Sequence, residues 1–298
     1  MKTTGNVLVT GSSSGFGNLI ATTFATAGFT VFATMRDMKG RNATAAAELE
    51  EKGESLTGTI RCIELDVTQD TSVNSGVAAV IGEAKHIDVL INNAGVACAG
   101  FTETFAASDA HRLFDVNVYG PLRLARAVLP HMRQRGSGLV VYMSSTLGRE
   151  VMPFLSLYGA SKFALESIAD GYRYELASLG IDSVIIQPGT FPTTKILANL
   201  VQPSDPDRQN GYGELAQVPG QIFQGIGELV ESGNAPSPQQ VADAVLRVAQ
   251  TPAGQRPERI VIDPNGPEPI EAINAASAKV QHELLKHLGL GHLLSVKT

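Results

Sequence analysis

The chain has 298 residues, of which 43% are hydrophobic and only 17% are charged, and its net charge is −6. This balance excludes a disordered chain, which would be poorer in apolar residues, and a general nucleic-acid binder, which would carry basic clusters. No run of about 18 apolar residues is present, so we expect no membrane span.

Seven short apolar runs alternate with longer helical segments. The runs are nearly continuous and rich in β-branched residues, as in strands buried on both faces of a parallel sheet. Strands are predicted at Asn6–Thr10, Thr30–Met35, Ile60–Leu65, Ile87–Asn92, Leu139–Ser144, Asp182–Gln187 and Arg259–Asp263. Helices are predicted at Gly15–Ala27, Thr44–Lys52, Thr71–Lys85, Ala110–Gln134, Ser156–Ser178 and Pro238–Gln250. The alternation predicts an α/β fold, a doubly wound parallel sheet of about seven strands with helices on both faces.

Two segments depart from this alternation. Residues 190–236 contain no predicted strand, and short helices are predicted there near Thr194–Val201 and Glu214–Val230. Because long insertions at the carboxyl edge of a sheet are usually functional, we expect a substrate loop or lid. Residues 268–298 are predicted to be a helical extension of the same single domain, residues 1–298. Its apolar stripe is expected to pack on the chain's own core, with a subunit contact or a pocket cover as alternatives; the stripe comprises Ile270, Ile273, Val280, Leu284 and Leu288.

A glycine-rich loop joins the first strand to the first helix. Glycine makes up 30 of the 298 residues without a collagen-like period, so it is expected to serve particular backbone positions. Here it allows a tight turn and a close approach of backbone N–H groups to a ligand, next to the positive end of a helix. A pyrophosphate site is therefore predicted at Gly11, Ser13, Ser14, Gly15, Phe16 and Gly17.

Further candidate residues follow the later strands in order. They are Asp66 and Val67 after the third strand; Asn93, Ala94 and Gly95 after the fourth; Asn117 in the next helix; Ser145 after the fifth; Tyr158 and Lys162 in the following helix; and Pro188, Gly189, Thr190 and Thr193 after the sixth. Together with Asn92, these residues form the motifs N-N-A-G, Y-x-x-x-K and P-G-x-x-x-T. The glycine loop, which begins at Thr10, has the motif T-G-x-x-x-G-x-G.

Together these motifs resemble the short-chain dehydrogenase/reductase family over about residues 5–195, with hints of its 17β-hydroxysteroid, retinol dehydrogenase-like and carbonyl reductase branches. The resemblance implies a Rossmann-type fold, a bound NAD(P) contacted by the glycine loop and the other motif residues, and catalysis by Asn117, Ser145, Tyr158 and Lys162. It also implies that Lys162 contacts the nicotinamide ribose and that Asn117 helps to hold a proton-relaying water. A homodimer or homotetramer, paired through the two long helices, is implied in the same way.

Tyr158 and Lys162 lie four residues apart, so they share one helix face. A free tyrosine has a pKa near 10, and lowering it to about 7 requires roughly 4 kcal/mol. A lysine ammonium about 4 Å away supplies on the order of 4 kcal/mol at an effective dielectric constant near 20. One neighbouring cation is therefore predicted to suffice, with Ser145 holding the substrate oxygen by a hydrogen bond.

The end of the second strand bears on cofactor choice. An acidic residue at this position binds the ribose 2′-hydroxyl of NAD, whereas an arginine accepts the 2′-phosphate of NADP. Arg36 follows the strand directly, with Lys39 and Arg41 close behind, and a guanidinium suits a phosphate. NADP(H) is therefore favoured over NAD(H), with Asp37 as the competing ribose ligand.

The substrate pocket is expected beside Ser145 and Tyr158, in segments with no cation placed for a carboxylate or phosphate. A mainly apolar ketone, aldehyde or alcohol is therefore favoured. The expected lining residues are Val96, Phe101, Met152, Phe154, Phe191, Tyr212 and Phe223. We expect an NADPH-dependent oxidoreductase; the alternatives are an NAD-dependent dehydrogenase of steroid or retinoid type alcohols and a non-catalytic NAD(P) sensor.

The remaining residues suggest no further chemistry. Cys62 and Cys98 are predicted to be structural thiols in a reducing compartment. The short N-terminus before the first strand does not resemble a secretory signal, so we expect a cytoplasmic protein. The six histidines fall outside every motif, and no metal is predicted.

Overall fold

The structure is a computed structural model that describes residues 4–196 and 199–298. Its centre is a parallel sheet of seven strands in the order β3-β2-β1-β4-β5-β6-β7. The strands are β1 (Asn6–Thr10), β2 (Thr30–Met35), β3 (Thr59–Glu64), β4 (Val89–Asn92), β5 (Gly138–Met143), β6 (Ile181–Pro188) and β7 (Arg259–Ile262). The predicted doubly wound α/β fold is confirmed, and each predicted strand end lies within two residues of the observed one.

Helices cover both faces of the sheet. They are α1 (Gly15–Thr26), α2 (Ala43–Glu54), α3 (Asp70–Ala84), α4 (Ala107–Phe114), α5 (Gly120–Arg135), α6 (Ser156–Ala177), α7 (Val218–Glu231), α8 (Gln239–Gln250) and α9 (Glu268–His287). None of these described helices is long and apolar enough to cross a bilayer.

Burial of the strands on both faces explains their continuous apolar sequences. Along β1, Val7 and Val9 belong to the apolar cluster on one face, which includes side chains of α1, α2 and α8. Leu8, between them, belongs to the cluster on the opposite face, with α3, α5 and α6. All three side chains are fully buried, and each such burial contributes about 1.5–3 kcal/mol. A polar side chain at any of these three positions would not contribute this burial free energy. The buried part of β1 therefore has a continuous apolar sequence and not an alternation of apolar and polar residues.

The predicted helix Ala110–Gln134 has a helical backbone throughout, but a π-helical segment separates two α-helical parts. α4 ends at Phe114, a wide π-turn occupies Asp115–Tyr119, and α5 begins at Gly120. Pro121, in the first turn of α5, has no backbone N–H to continue the hydrogen-bond pattern of the preceding helix. The apolar spacing continues across this junction, so periodicity alone did not reveal it.

The insertion and the C-terminal extension also differ from expectation. In the first predicted short helix of the insertion, residues 197 and 198 lie outside the described residues, and the described flanks form turns and a parallel bridge between Cys98 and Val201. The second begins later, at Val218, after 3₁₀ turns over Pro206–Gln217. In α9 only Ile270 of the predicted stripe is buried, so packing of the whole stripe on the chain's own core is wrong; Ile273, Val280, Leu284 and Leu288 are 42–67% exposed.

The order of the strands positions the site. The chain moves outward from β1 to β2 and β3, then returns to β4 on the other side of β1. The connections after β1 and β4 therefore lead to opposite sides of the sheet, and ligands bind at the carboxyl edge beside such a switch in strand order.

Candidate active site

A cleft of about 1190 Å³ opens at the carboxyl edge of the sheet. Its walls are the loops that follow β1 to β6, the start of α6 and one side of α7. Of the predicted site residues, those that line it are Gly11, Ser13, Ser14, Gly15, Phe16, Arg36, Asp66, Val67, Asn93, Ala94, Gly95, Val96, Ser145, Met152, Phe154, Tyr158, Lys162, Pro188, Gly189, Thr190, Phe191 and Phe223.

The glycine loop is packed tightly against the loop after β4. Gly11 has φ +69°, and a Cβ atom on it would lie 2.8 Å from the Ala94 Cα. The Thr10 hydroxyl accepts hydrogen bonds from the backbone N–H groups of Asn93 and Ala94, both at 3.0 Å. The Asn93 amide donates to the Thr10 carbonyl at 2.8 Å. These contacts hold the two loops together as one edge of the cleft.

Gly17 is required by packing and does not line the cleft. A Cβ atom there would lie 2.3 Å from the Gly11 carbonyl oxygen and 2.5 Å from the Asn93 Nδ2. The N-terminus of α1 can therefore lie directly under the loop. Ser14 precedes this helix, and its side chain makes no capping hydrogen bond. The first N–H groups of α1 thus point into the cleft without a capping side chain, an arrangement that fits a pyrophosphate.

The loop after β2 contributes two arginines to the cleft. Arg36 and Arg41 both line the cleft. Asp37, with φ +53°, turns its carboxylate back into the following turn, where it accepts the Arg41 backbone N–H at 3.0 Å. The competing ribose acid is therefore engaged in a local turn, whereas Arg36 and Arg41 are lining residues of the cleft.

Ser145, Tyr158 and Lys162 form one wall of the cleft, and each is at most 9% exposed. Ser145 caps the 3₁₀ turn Thr146–Gly148, where its hydroxyl accepts the Leu147 N–H at 3.2 Å. The Lys162 Nζ lies 5.7 Å from the centre of the Tyr158 ring. It donates a hydrogen bond of 2.8 Å to the Met143 carbonyl at the end of β5, which fixes the ammonium beside the phenol.

Burial dominates the electrostatics of this wall. It raises the pKa of Tyr158 to about 12, and the hydrogen bond with Ser145 acts in the opposite direction. Burial also lowers the pKa of Lys162 from its usual 10.5 to about 8, and the negative charge of Glu166 opposes this decrease. The prediction that one cation brings the tyrosine near pH 7 is therefore wrong for the chain's own residues, because it omitted the desolvation of the phenol.

Asn117 lies in the π-turn and is 1% exposed. Its side chain holds Val96 from both directions, accepting the N–H at 2.9 Å and donating to the carbonyl at 2.8 Å. It also donates to the Ser161 hydroxyl on α6 at 3.0 Å. Asn117 does not line the cleft, so it fixes the loop after β4 against α6.

One of the cofactor-binding residues predicted after β6 lies outside the cleft. Thr193 is exposed and does not line the cleft, whereas Thr194 does. A Cβ atom on Gly189 would lie 2.4 Å from the Asp263 carboxyl carbon, so only glycine fits beside that carboxylate. Asp263 also lines the cleft and was missed, because an aspartate at the end of a strand looks like an ordinary turn residue.

The aromatic residues of the predicted pocket occupy different places. Phe154 lines the cleft, and behind it Phe101 packs between Phe154 and Tyr212, with ring centres 5.0 and 4.1 Å away. Neither Phe101 nor Tyr212 lines the cleft. Phe191 packs edge-on against Phe16 at 5.6 Å, which places it beside the glycine loop.

Further apolar lining residues, which were not named individually from the sequence, are Leu147, Leu155, Ile196, Leu200, Ile222 and Ile226. Ile222 and Ile226 share a face of α7 with Phe223, and their helical spacing was the signal that could have identified them. Within residues 4–196 and 199–298, no group of three or more His, Cys, Asp or Glu side chains is arranged to hold a metal ion.

A family model described as short chain dehydrogenase matches residues 5–205. The chain belongs to the short-chain dehydrogenase/reductase family. This membership makes it an NAD(P)-dependent oxidoreductase, and the seven-stranded sheet is the Rossmann-type fold of that family.

Curated relatives support this membership. An uncharacterized oxidoreductase, YusZ, of Bacillus subtilis is 35% identical over 81% of this chain and 83% of its own length. Retinol dehydrogenase 8 of Bos taurus is 33% identical over 81% and 77%. Human 17-beta-hydroxysteroid dehydrogenase type 1 is 32% identical over 83% and 74%.

Solved structures of the family match the fold. A short-chain dehydrogenase from Streptomyces avermitilis has a TM-score of 0.74 at 29% identity, over 98% of this chain and 99% of that one. A Burkholderia phymatum enzyme in complex with NAD has a TM-score of 0.73 at 21% identity, over 94% and 95%. A metagenomic short-chain oxidoreductase in complex with NADP has a TM-score of 0.67 at 21% identity, over 87% and 97%.

Proposed function

We propose that this short-chain dehydrogenase/reductase is an NADP(H)-dependent enzyme that interconverts a mainly apolar ketone or aldehyde with the corresponding alcohol. The observation that carries the proposal is the arrangement of Ser145, Tyr158 and Lys162 on one wall of a cleft whose other end is the glycine loop. A proton donor and a cation therefore lie in the same crevice as a pyrophosphate cradle.

The cofactor would be held by backbone and side-chain groups along the cleft. The glycine loop and the N-terminus of α1 would receive the pyrophosphate. Arg36 and Arg41 would receive the 2′-phosphate, since Asp37 is engaged in its own turn. Asp66, Asn93 and Gly95 also line the cleft, where they would contact other parts of the cofactor. When bound, the cofactor supplies a hydride for reduction and a positively charged ring for oxidation.

The chain's own residues would manage the proton. A phenol with a pKa of about 12 is protonated at neutral pH, which is the form that donates to a carbonyl oxygen as it gains negative charge. Ser145 would donate a second hydrogen bond to that oxygen and fix its position. The Lys162 ammonium would stabilise the phenolate left on Tyr158.

The protonation state of Tyr158 is consistent with carbonyl reduction. Its pKa is about 12 with Lys162 in place, because burial outweighs the hydrogen bond with Ser145. The tyrosine is therefore in the acid form, which is the form that carbonyl reduction needs.

The outer cleft favours an apolar substrate. Its lining includes Leu147, Phe154 and Leu155 from the loop after β5, and Ile222 and Phe223 from α7. Such a lining binds hydrocarbon by burial of apolar surface. The printed names of two relatives, a retinol dehydrogenase and a hydroxysteroid dehydrogenase, agree with an apolar alcohol or ketone.

Assembly through α5 and α6 is part of the proposal. Tyr119, just before α5, is 39% exposed, and Phe163 on α6 is 40% exposed. Large apolar side chains are less often exposed on a monomer surface than in a subunit interface. Light scattering after size-exclusion chromatography should show a dimer or tetramer, and a monomer at micromolar concentration would contradict this part.

Turnover with both cofactors tests the function. The purified chain would be mixed with NADPH or NADH and a panel of aliphatic, aromatic and cyclic ketones, and nicotinamide absorbance would be followed. We expect faster oxidation of NADPH than of NADH with at least one ketone. Faster turnover with NADH would support the NAD-dependent alternative, and cofactor binding without any turnover would support a nucleotide sensor.

A further inference from the structure

Glu166 is a buried carboxylate directly beneath the candidate active site. It lies on α6 and is 2% exposed. The Ser144 hydroxyl donates to its Oε1 at 2.7 Å, and the Gln187 amide donates to the same oxygen at 2.8 Å. A Cβ atom on Gly148 would lie 2.3 Å from that oxygen. The loop after β5 therefore folds closely around this carboxylate.

Two guanidinium groups neutralise the Glu166 charge. The Nε atoms of Arg149 and Arg259 lie 3.0 and 3.2 Å from its Oε2. Asp170, one turn later on α6, contacts both arginines, which completes a four-residue charge cluster. Burying a carboxylate is costly unless it is paired and hydrogen-bonded, and Glu166 meets both conditions.

The contacts of Glu166 lead to the segments that carry the site. Ser144 immediately precedes Ser145, and Gln187 immediately precedes the Pro188 loop. Lys162 lies one helical turn before Glu166, on the same face of α6. A single carboxylate is thus hydrogen-bonded beside the candidate serine and placed next to the candidate lysine.

We propose that Glu166 is a positioning residue of this site: its carboxylate holds Ser144 and thereby Ser145, and its negative charge supports the ammonium of Lys162. The inference rests on the proposed function, because it deepens the role of that wall. The charged and titratable groups that face Glu166 and Lys162 are Arg149, Arg259, Asp170 and Tyr158, with Cys98 beyond the phenol.

The cluster predicts shifts of opposite sign for two substitutions. Glu166→Gln removes a negative charge near Lys162 and leaves the two arginines uncompensated, so it should lower the pKa of Lys162 by about one unit. Arg149→Gln removes a positive charge from the same cluster, so it should raise that pKa. A general loosening of the structure would admit water and move both variants in the same direction.

Acetylation of the Lys162 amine at a series of pH values measures this directly, since only the neutral amine reacts. Lys162 is 5% exposed and lines the cleft, so the acetylating reagent must be small enough to enter the cleft. Mass spectrometry of the Lys162 peptide should give a midpoint near 8 in the wild type, a lower midpoint in Glu166→Gln and a higher one in Arg149→Gln. Glu175→Gln, the same change at an exposed position of α6, is the matched control and should match the wild type.

The outcomes separate this inference from the proposed function. Midpoints that do not move, or that move in the same direction in both variants, overturn the inference even when the wild type reduces ketones. If Glu166→Gln does not fold, Arg149→Gln carries the test alone, and a midpoint that stays or falls overturns it.

Activity gives a second readout. With a pKa about one unit lower, the charged fraction of Lys162 near pH 7.5 should fall about threefold, and kcat with it, while KM changes little. Failure of the wild type to oxidise either cofactor overturns the proposed function, whereas the acetylation midpoints still report on the charge cluster.

Discussion

Replacing Arg36 with alanine should reduce the preference for NADPH without disturbing the fold. Arg36 lines the cleft at the end of β2, and its backbone carbonyl is held by the Asn42 amide at 2.6 Å. The turn is also held by Asp37, whose carboxylate accepts the Arg41 N–H. Neither contact uses the Arg36 side chain, so Arg36→Ala should leave the turn in place.

The magnitude follows from the contacts a guanidinium can make. Hydrogen bonds between a guanidinium and a phosphate contribute about 1.5–3 kcal/mol, a factor of roughly 10 to 150 in affinity. Because Arg36 is exposed, solvent screening places the expected loss near the lower end, about tenfold. NADH lacks the 2′-phosphate, so its affinity should change by less than about twofold.

Titrations of NADPH and NADH fluorescence would measure both dissociation constants. The matched control is Lys39→Ala, which removes the same charge three residues away, at an exposed position that does not line the cleft. An unchanged ratio of the two constants in Arg36→Ala would refute the assignment. An equal change of this ratio in Lys39→Ala would show that any positive charge near the cleft has the same effect, and that Arg36 makes no specific contact with the 2′-phosphate.

Three further variants test other parts of the molecule. Gly17→Ala places a Cβ atom 2.3 Å from a carbonyl oxygen of the glycine loop, so it should weaken cofactor binding at least about tenfold. The control Gly82→Ala adds a Cβ atom in open space on α3 and should leave cofactor binding unchanged. Equal cofactor affinity in the two variants would contradict the packing argument. Hydrogen bonds from Ser204 lower the pKa of Asp109 from 3.8 to about 2, so Asp109 adds stability above pH 3.8 that is lost as the pH falls towards 2. The difference in Tm between wild type and Asp109→Asn should therefore shrink from about pH 5 to about pH 2, and a constant difference would contradict the shift. Phe223→Ala should raise KM for an apolar ketone several-fold and leave NADPH affinity unchanged. The control Leu229→Ala, on α7 but outside the cleft lining, should leave KM unchanged. An equal rise of KM in both variants would show that Phe223 makes no specific contact with the substrate.

Much of the site could be predicted because its residues follow strands. Gly11 and Ser145 come directly after β1 and β5, and a parallel sheet brings such positions to one edge. The near-continuous apolar runs set the strand limits to within two residues. Once the fold class is predicted, the positions of the motifs along the chain are enough to place their residues at one edge of the sheet.

Other features depended on contacts between distant segments. The pKa of Tyr158 is set by burial against residues such as Cys98 and Leu113, which local spacing does not reveal. Glu166 follows Lys162 by four residues and looks like half of a surface ion pair. Its burial arises only when the segment after β5, the end of β6 and the start of β7 pack around it.

The π-helical segment at residues 115–119 was similarly hidden. The apolar spacing continues across it, and Pro121 in the following turn has no backbone N–H to donate. The consequence is functional as well as local, because the wide turn carries Asn117 to the loop after β4.

Transfer of deuterium to a ketone from NADPH deuterated at both C4 positions is the most direct test of the proposed reaction. We expect an alcohol with one deuterium at the carbinol carbon. The rate should fall about 10²- to 10⁴-fold in Tyr158→Phe, which loses the general acid, and should be unchanged in Tyr119→Phe, where the phenol is exposed outside the cleft. Deuterium transfer at the wild-type rate in Tyr158→Phe, or tight NADPH binding with no labelled alcohol from any ketone, would contradict the account.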